Sequence, residues 1–303
     1  LSVLLDGSDT WSHEVKEYRV EAGCFGAPRF RVVEQGPVLA TLQCLLSFGR
    51  SSAVVEWTLY QEVPDIHCSL RVDWREAYHL LKIGFETNIQ SGTATYEVPY
   101  GTQVRPTNGQ EEPGQQWVDL TGNIDGKPYG LAVLNDGQYS FDVLNESIRV
   151  TALRSPAFAH HDPARISLRD MPEIMDQGWH KIALRLVPHP GPWQGARMVQ
   201  QAWEHNVPPI AHCESAHPGT FGAAQSFLSV EPSHVLPCVL KQQEHGQGWI
   251  LRASETAGTA VEAEVTLQGK AFKVSFAPHE IKTLHYSPSE NCLQETNLLE
   301  EPL

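Results

Sequence analysis

Residues 38–74 hold three apolar stretches, VLATLQCLLSF (38–48), AVVEWTLYQ (53–61) and CSLRVDW (68–74). Gly49-Arg50-Ser51-Ser52 breaks the first from the second. In the second stretch Val55, Trp57 and Leu59 share one face. In the third, Leu70 and Val72 point one way and Arg71 and Asp73 the other. Period-two alternation marks a half-buried strand, because successive Cβ atoms leave opposite faces of the pleat. LLKIGFE (80–86) repeats the pattern. Successive strands joined by short turns predict an antiparallel sandwich.

Strands are predicted again at GLAVLN (130–135), SIRVTAL (147–153) and KIALRLV (181–187), with Asn135-Asp136-Gly137 as a turn. The stretch from Tyr96 to Trp117 is rich in Pro and Gly and reads as an ordered functional loop or lid. One helix is expected at Trp193–His205, where Ala196, Val199, Gln200 and Trp203 share helical spacing. Asn206-Val207-Pro208-Pro209 stops it. A Pro-, Gly-, His- and Ser-rich linker follows. Short strands at 227–230, 235–242, 249–254, 260–267, 272–276 and 281–285 then predict a small second sandwich. The expected divisions are 1–210, a linker at 211–224, 225–290, and a polar tail at 291–303.

Apolar residues make up 41% of the 303, enough to fill a core and exclude disorder. The formal net charge of -14 repels phosphate backbones, so nucleic acid is not an expected partner. No apolar run is long enough for a membrane-spanning helix. Six scattered cysteines without a C-x-x-C spacing read as reduced thiols, which favours a cytoplasmic location.

Fourteen histidines invite a metal search. His160-His161-Asp162 is the densest cluster, but neighbours on a strand face opposite ways and flanking prolines indicate a loop. His212 and His217 fall in the linker and read as solvated. Glu111-Glu112 and Glu300-Glu301 are acid pairs, yet glycosidases need carboxyl groups held roughly 5 to 9 Å apart across a sugar. Sequence neighbours do not supply that geometry. No nucleophile elbow, P-loop or H-E-x-x-H is present. The residues Tyr100 to Asp119 mix aromatic and planar polar side chains, which suits carbohydrate contact or a loop pinned by its own rings.

Several strings, in order, resemble the C-terminal region of family-38 α-mannosidases, chiefly the bacterial and cytosolic branch. They include VLLDGSDTW (3–11), VDWRE (72–76), EVPYG (97–101) and QWVDL (116–120). YGLAVLN (129–135), Tyr139 with Asp142-Val143, LRSP (153–156), PHPG (188–191) and PHEIKTL (278–284) continue the series. The resemblance implies an all-β fold, a galactose-mutarotase-like β super-sandwich followed by a small C-terminal β-sandwich. It implies retaining hydrolysis of α-mannosides with a zinc ion gripping the sugar. The nucleophile, acid/base and zinc ligands of such enzymes lie in an upstream barrel, so no catalytic or metal-binding residue is expected within this chain. The expected partners are that barrel and the α-mannoside. Tyr100, Arg105, Glu112, Gln116 and Trp117 are the expected cleft-facing contacts, with Arg154 and His189 as further candidates. A stand-alone carbohydrate-binding module, a sugar epimerase and a structural domain that forms a homo-oligomer stay open as alternatives.

Overall fold

The computed structural model describes residues 1–12, 15–158 and 173–303. The strands of the first part are β1 (Ser2–Leu5), β2 (Glu21–Cys24), β3 (Gly26–Gln35), β4 (Leu39–Phe48) and β5 (Ser51–Tyr60). They continue with β6 (Ile66–Trp74), β7 (His79–Glu86), β8 (Gln90–Val98), β9 (Gly101–Arg105) and β10 (Glu112–Pro113). The set closes with β11 (Trp117–Ile124), β12 (Lys127–Asn135), β13 (Ser140–Leu144), β14 (Ser147–Arg154) and β15 (Gly178–Pro190). Nine strands form one sheet in the order β3-β4-β5-β6-β15-β12-β11-β8-β9. Six form a second sheet in the order β10-β13-β14-β7-β1-β2.

The apolar alternation of residues 38–74 becomes three antiparallel neighbours, β4, β5 and β6. Cys44 sits opposite Val55 and Val55 opposite Leu70, so one row of the pleat is apolar across strands. That row meets Ile83, Phe85, Val143 and Val150 of the six-stranded sheet in one buried cluster. Trp74 is fully buried, stacks on Phe25 at 6.4 Å, and donates its indole N–H to the Ser155 hydroxyl.

The chain divides into two compact units, Leu1–Val98 with Thr102–Ala196, and Pro99–Gly101 with Arg197–Leu303. The second carries β16 (Leu228–Glu231), β17 (Val235–Gln242), β18 (Trp249–Glu255), β19 (Val261–Leu267), β20 (Lys270–Phe276), β21 (Ile281–Ser287) and β22 (Cys292–Thr296). They form a three-stranded sheet β16-β19-β20 and a four-stranded sheet β17-β18-β21-β22. Leu251, Val265 and Leu284 are buried together between them.

Three local expectations change. The tail is not wholly irregular, because Cys292–Thr296 pairs with β21. The expected loop at 96–117 contains β9 and β10, and Tyr100 takes a left-handed φ of 56° at the hairpin tip. The expected single helix is a 3₁₀ turn (Trp193–Ala196) followed by α1 (Met198–Asn206). Arg197 lies between them at φ 54° and breaks the continuous ladder. α1 groups with the second unit, which takes up the chain from Arg197.

Candidate functional site

The six-stranded sheet carries an open cavity of about 400 Å³. Thr10, Gln138, Tyr139, Thr151, Arg154 and Asp176 supply its polar lining. The turn after β1 builds one wall. Asp6 is buried and accepts the Ser8 N–H at 3.1 Å and the Ser8 hydroxyl at 2.5 Å, folding Asp6-Gly7-Ser8 into an Asx turn. Asp9 accepts the Trp11 N–H at 3.0 Å. The end of β14 delivers Arg154 into this turn. Its Nε and Nη2 donate to Asp6 Oδ2 at 2.9 and 2.8 Å, and Nη2 reaches the Ser8 Oγ at 2.9 Å. Its guanidinium also lies 5.3 Å from the Tyr18 ring centroid.

Opposite stands the Asn135-Asp136-Gly137 turn. The Asn135 carboxamide oxygen accepts the N–H groups of Gly137 and Gln138, both at 2.9 Å. That turn presents Tyr139, 61% exposed, at the rim. The side-chain oxygen of Gln138 is buried without a hydrogen-bond partner among the described residues. An orphaned acceptor in a cavity wall is a natural seat for a ligand hydroxyl.

Ser140 and Thr151 in the lining belong to a buried ionic network. Lys82 is wholly buried on β7 and donates to Glu111 at 2.5 Å, to Thr151 at 3.0 Å and to Asp142. Arg149 donates to the other Asp142 oxygen at 2.7 Å, and Ser140 donates to Glu111 at 2.7 Å. Burial pushes the Glu111 carboxyl upward, but the Lys82 charge and the bonds from Lys82, Thr151 and Ser140 outweigh it, holding the group below the usual carboxylate range. The network fixes the cavity floor.

The sequence-predicted residues scatter. Arg105 and Glu112 do come together at 3.5 Å, with the guanidinium 5.0 Å from the Tyr96 ring and donating to the Pro113 carbonyl. Tyr100 is exposed at the hairpin tip. Gln116 is half-buried, and its backbone N–H donates to Glu97 Oε2 at 2.7 Å. Trp117 corrects the expectation of a sugar-stacking ring. It is fully buried at the start of β11, packs 5.0 Å from Trp193, and offers no exposed face. Arg154 alone of the seven lines the cavity.

His189 is structural. Its Nδ1 faces the Gly191 carbonyl at 3.1 Å and its Nε2 faces Asp119 at 2.7 Å. The Thr121 hydroxyl donates to the same Asp119 at 2.5 Å. A Cβ at Gly130 would stand 2.3 Å from the His189 ring, so only glycine lets the imidazole lie against β12. Glu97 was missed. It is buried with no cation beside it among the described residues, and burial pushes its carboxyl up to about 7 against the one backbone bond from Gln116. No sequence signal marks it beyond its place beside Pro99.

Of the metal candidates, His160-His161-Asp162 lies outside the described residues. His212 and His217 lie within 4.0 and 3.4 Å of Glu214 and are exposed. Among the described residues no three His, Cys, Asp or Glu side chains are placed to share a metal ion. No described helix is long and apolar enough to cross a membrane.

The chain is 24% identical over 277 residues to "Alpha-mannosidase G" of Dictyostelium discoideum, covering 85% of this chain and 24% of that protein. It is 27% identical over 256 residues to human "Alpha-mannosidase 2C1", covering 73% of this chain and 23% of that protein. The chain thus spans about a quarter of these relatives. An α-mannosidase structure from Enterococcus faecalis V583 superposes with a TM-score of 0.77 at 15% identity, over 94% of this chain and 38% of that one. This shows a shared fold. The family model described as "Glycosyl hydrolases family 38 C-terminal domain" matches residues 6–163, just over half of the sequence. The chain belongs to glycosyl hydrolase family 38 and carries its C-terminal domain.

Proposed function

We propose that this chain is the accessory β half of a retaining α-mannosidase, and that its cavity beside Arg154 forms part of the wall around the mannoside. One observation carries the assignment. The cavity gathers a cation, an exposed tyrosine, hydroxyls and an orphaned acceptor, but among the described residues Asp176 is the one carboxylate in its lining. Retaining hydrolysis needs two carboxyl groups about 5 Å apart. Glu111 and Asp142 are tied to Lys82 and Arg149. The cavity therefore suits gripping a sugar and not cleaving it. The ring of Tyr139 would meet an apolar sugar face, and the Gln138 oxygen would accept a hydroxyl. Arg154 commits Nε and Nη2 to the β1 turn, and among the described residues its Nη1 donors have no acceptor and would serve the ligand.

The zinc implied by family resemblance finds no matching ligand set among the described residues. We place it, with the nucleophile and the acid/base, in the upstream barrel of the same polypeptide. All six cysteines are free thiols, which supports a cytoplasmic setting. The test is Tyr139→Ala and Gln138→Leu in the intact enzyme, assayed on 4-nitrophenyl α-mannoside. Each should lower kcat/KM by roughly tenfold, the loss of about 1.4 kcal/mol of contact. Unchanged kinetics in both would remove the cavity from the cleft. Calorimetric titration of the 303-residue chain with methyl α-mannoside addresses the stand-alone module. Tight binding without the barrel would favour that alternative.

A further inference from the structure

The two sheets of the large unit differ in width, nine strands against six. Their shared core follows one row of the pleat through Ile182, Leu70, Val55 and Cys44. The same face of the nine-stranded sheet runs on past the six-stranded sheet. Cover reaches Trp57, which Phe85 of β7 meets edge-on at 6.4 Å. Beyond it the register continues the row: Trp57 opposite Leu42, Leu42 opposite Val32, and Leu59 opposite Ala40. These side chains line a groove of about 360 Å³ with Ile66. Leu59 is 51% exposed, Val32 61% and Phe30 63%. The opposite face of these strands is polar in the usual way, with Thr41 bonded to Thr58 at 2.9 Å and Gln43 to Glu56 at 2.6 Å. The open apolar face is thus a contiguous row that continues the core, not a set of singly scattered exposed residues.

We infer that this overhang is the seat of the upstream part of the same polypeptide, which lays an aliphatic or aromatic surface across Val32, Leu42, Trp57 and Leu59. This rests on the proposed accessory role. The chain covers only 24% and 23% of two curated relatives, and the matching family model is a C-terminal domain. About three quarters of each of these relatives lies outside the matched part, ample chain to close a sandwich left open on one side. The groove carries no charged lining residue, so its occupant presents no charge there.

Hydrogen exchange read by mass spectrometry tests the inference on β3, β4 and β5, in the 303-residue chain and in the intact enzyme. Exchange at β3 and the adjoining ends of β4 and β5 should be roughly tenfold or more slower in the intact enzyme, and the protection should survive dilution. Leu59→Asp, at an already exposed position, should leave the melting temperature of the short chain unchanged and lower that of the intact enzyme. Equal exchange in both proteins overturns the inference. So does protection that disappears on dilution, which would assign the face to a second copy. Mannosidase activity of the unmodified intact enzyme, measured on the same preparation, reports separately on the functional reading.

Discussion

Glu97 makes the stability of the large unit depend on pH in an unusual direction. Its carboxyl is 7% exposed, receives one backbone N–H from Gln116, and faces no cation among the described residues. Burial lifts it from an ordinary 4.5 to about 7. The folded value is raised, so the folded state binds the proton more tightly. The group's contribution is fully present below about 4.5 and is lost as pH rises through about 7. A shift of that size, at about 1.4 kcal/mol per unit, corresponds to about 3 kcal/mol between pH 4 and pH 8. Glu97→Gln keeps the shape, still accepts the Gln116 N–H, and cannot ionise. Constant packing differences cancel when the variant is compared with the parent at each pH. Urea denaturation followed by tryptophan fluorescence should show the variant gaining about 3 kcal/mol relative to the parent across that range. A difference that stays flat from pH 4 to pH 8 would refute a neutral, buried Glu97.

Three further substitutions probe the frame. Trp117→Ala should cost about 3–5 kcal/mol of stability in thermal unfolding, because it empties a site packed against Trp193; a loss confined to KM would restore the ring as a sugar contact. Lys82→Met leaves Glu111 and Asp142 without their shared cation and should cost about 3–5 kcal/mol by denaturant titration, where no loss would show the network to be idle. Gly130→Ala should displace His189 and cost about 1–3 kcal/mol, checked by melting temperature and by a shifted imidazole resonance in NMR.

Strands were legible where one buried face left a clean alternation, whereas β8, β11 and β13, whose buried residues run consecutively, were not predicted. Val55-Trp57-Leu59 and Leu70-Val72 fixed β5 and β6 because burial on one side imposes period two on the residue types. β3 was not legible. It is an edge strand exposed over nearly its whole length, and its alternation, Arg29-Phe30-Arg31-Val32, lasts only four residues before Val33 breaks it. The break in the expected helix was hidden because Arg197, an ordinary helix former, sits in the left-handed region. The cavity was only partly visible. Arg154 was singled out, but Gln138 and Tyr139 reach the cavity from a separate turn, and Asp6, 148 residues away, holds Arg154 in place through a long-range ion pair. A count of aromatic and polar residues along one loop favoured Trp117 instead. Composition cannot tell a ring that faces solvent from one that starts a buried strand.

The most direct measurement is hydrolysis of 4-nitrophenyl α-mannoside, with zinc supplied, by the 303-residue chain and by the same protein extended upstream through its native gene. Turnover in the extended protein and none in the short chain is the expected result. Turnover by the 303 residues alone would place two working carboxyl groups inside these β-sandwiches and contradict the accessory role.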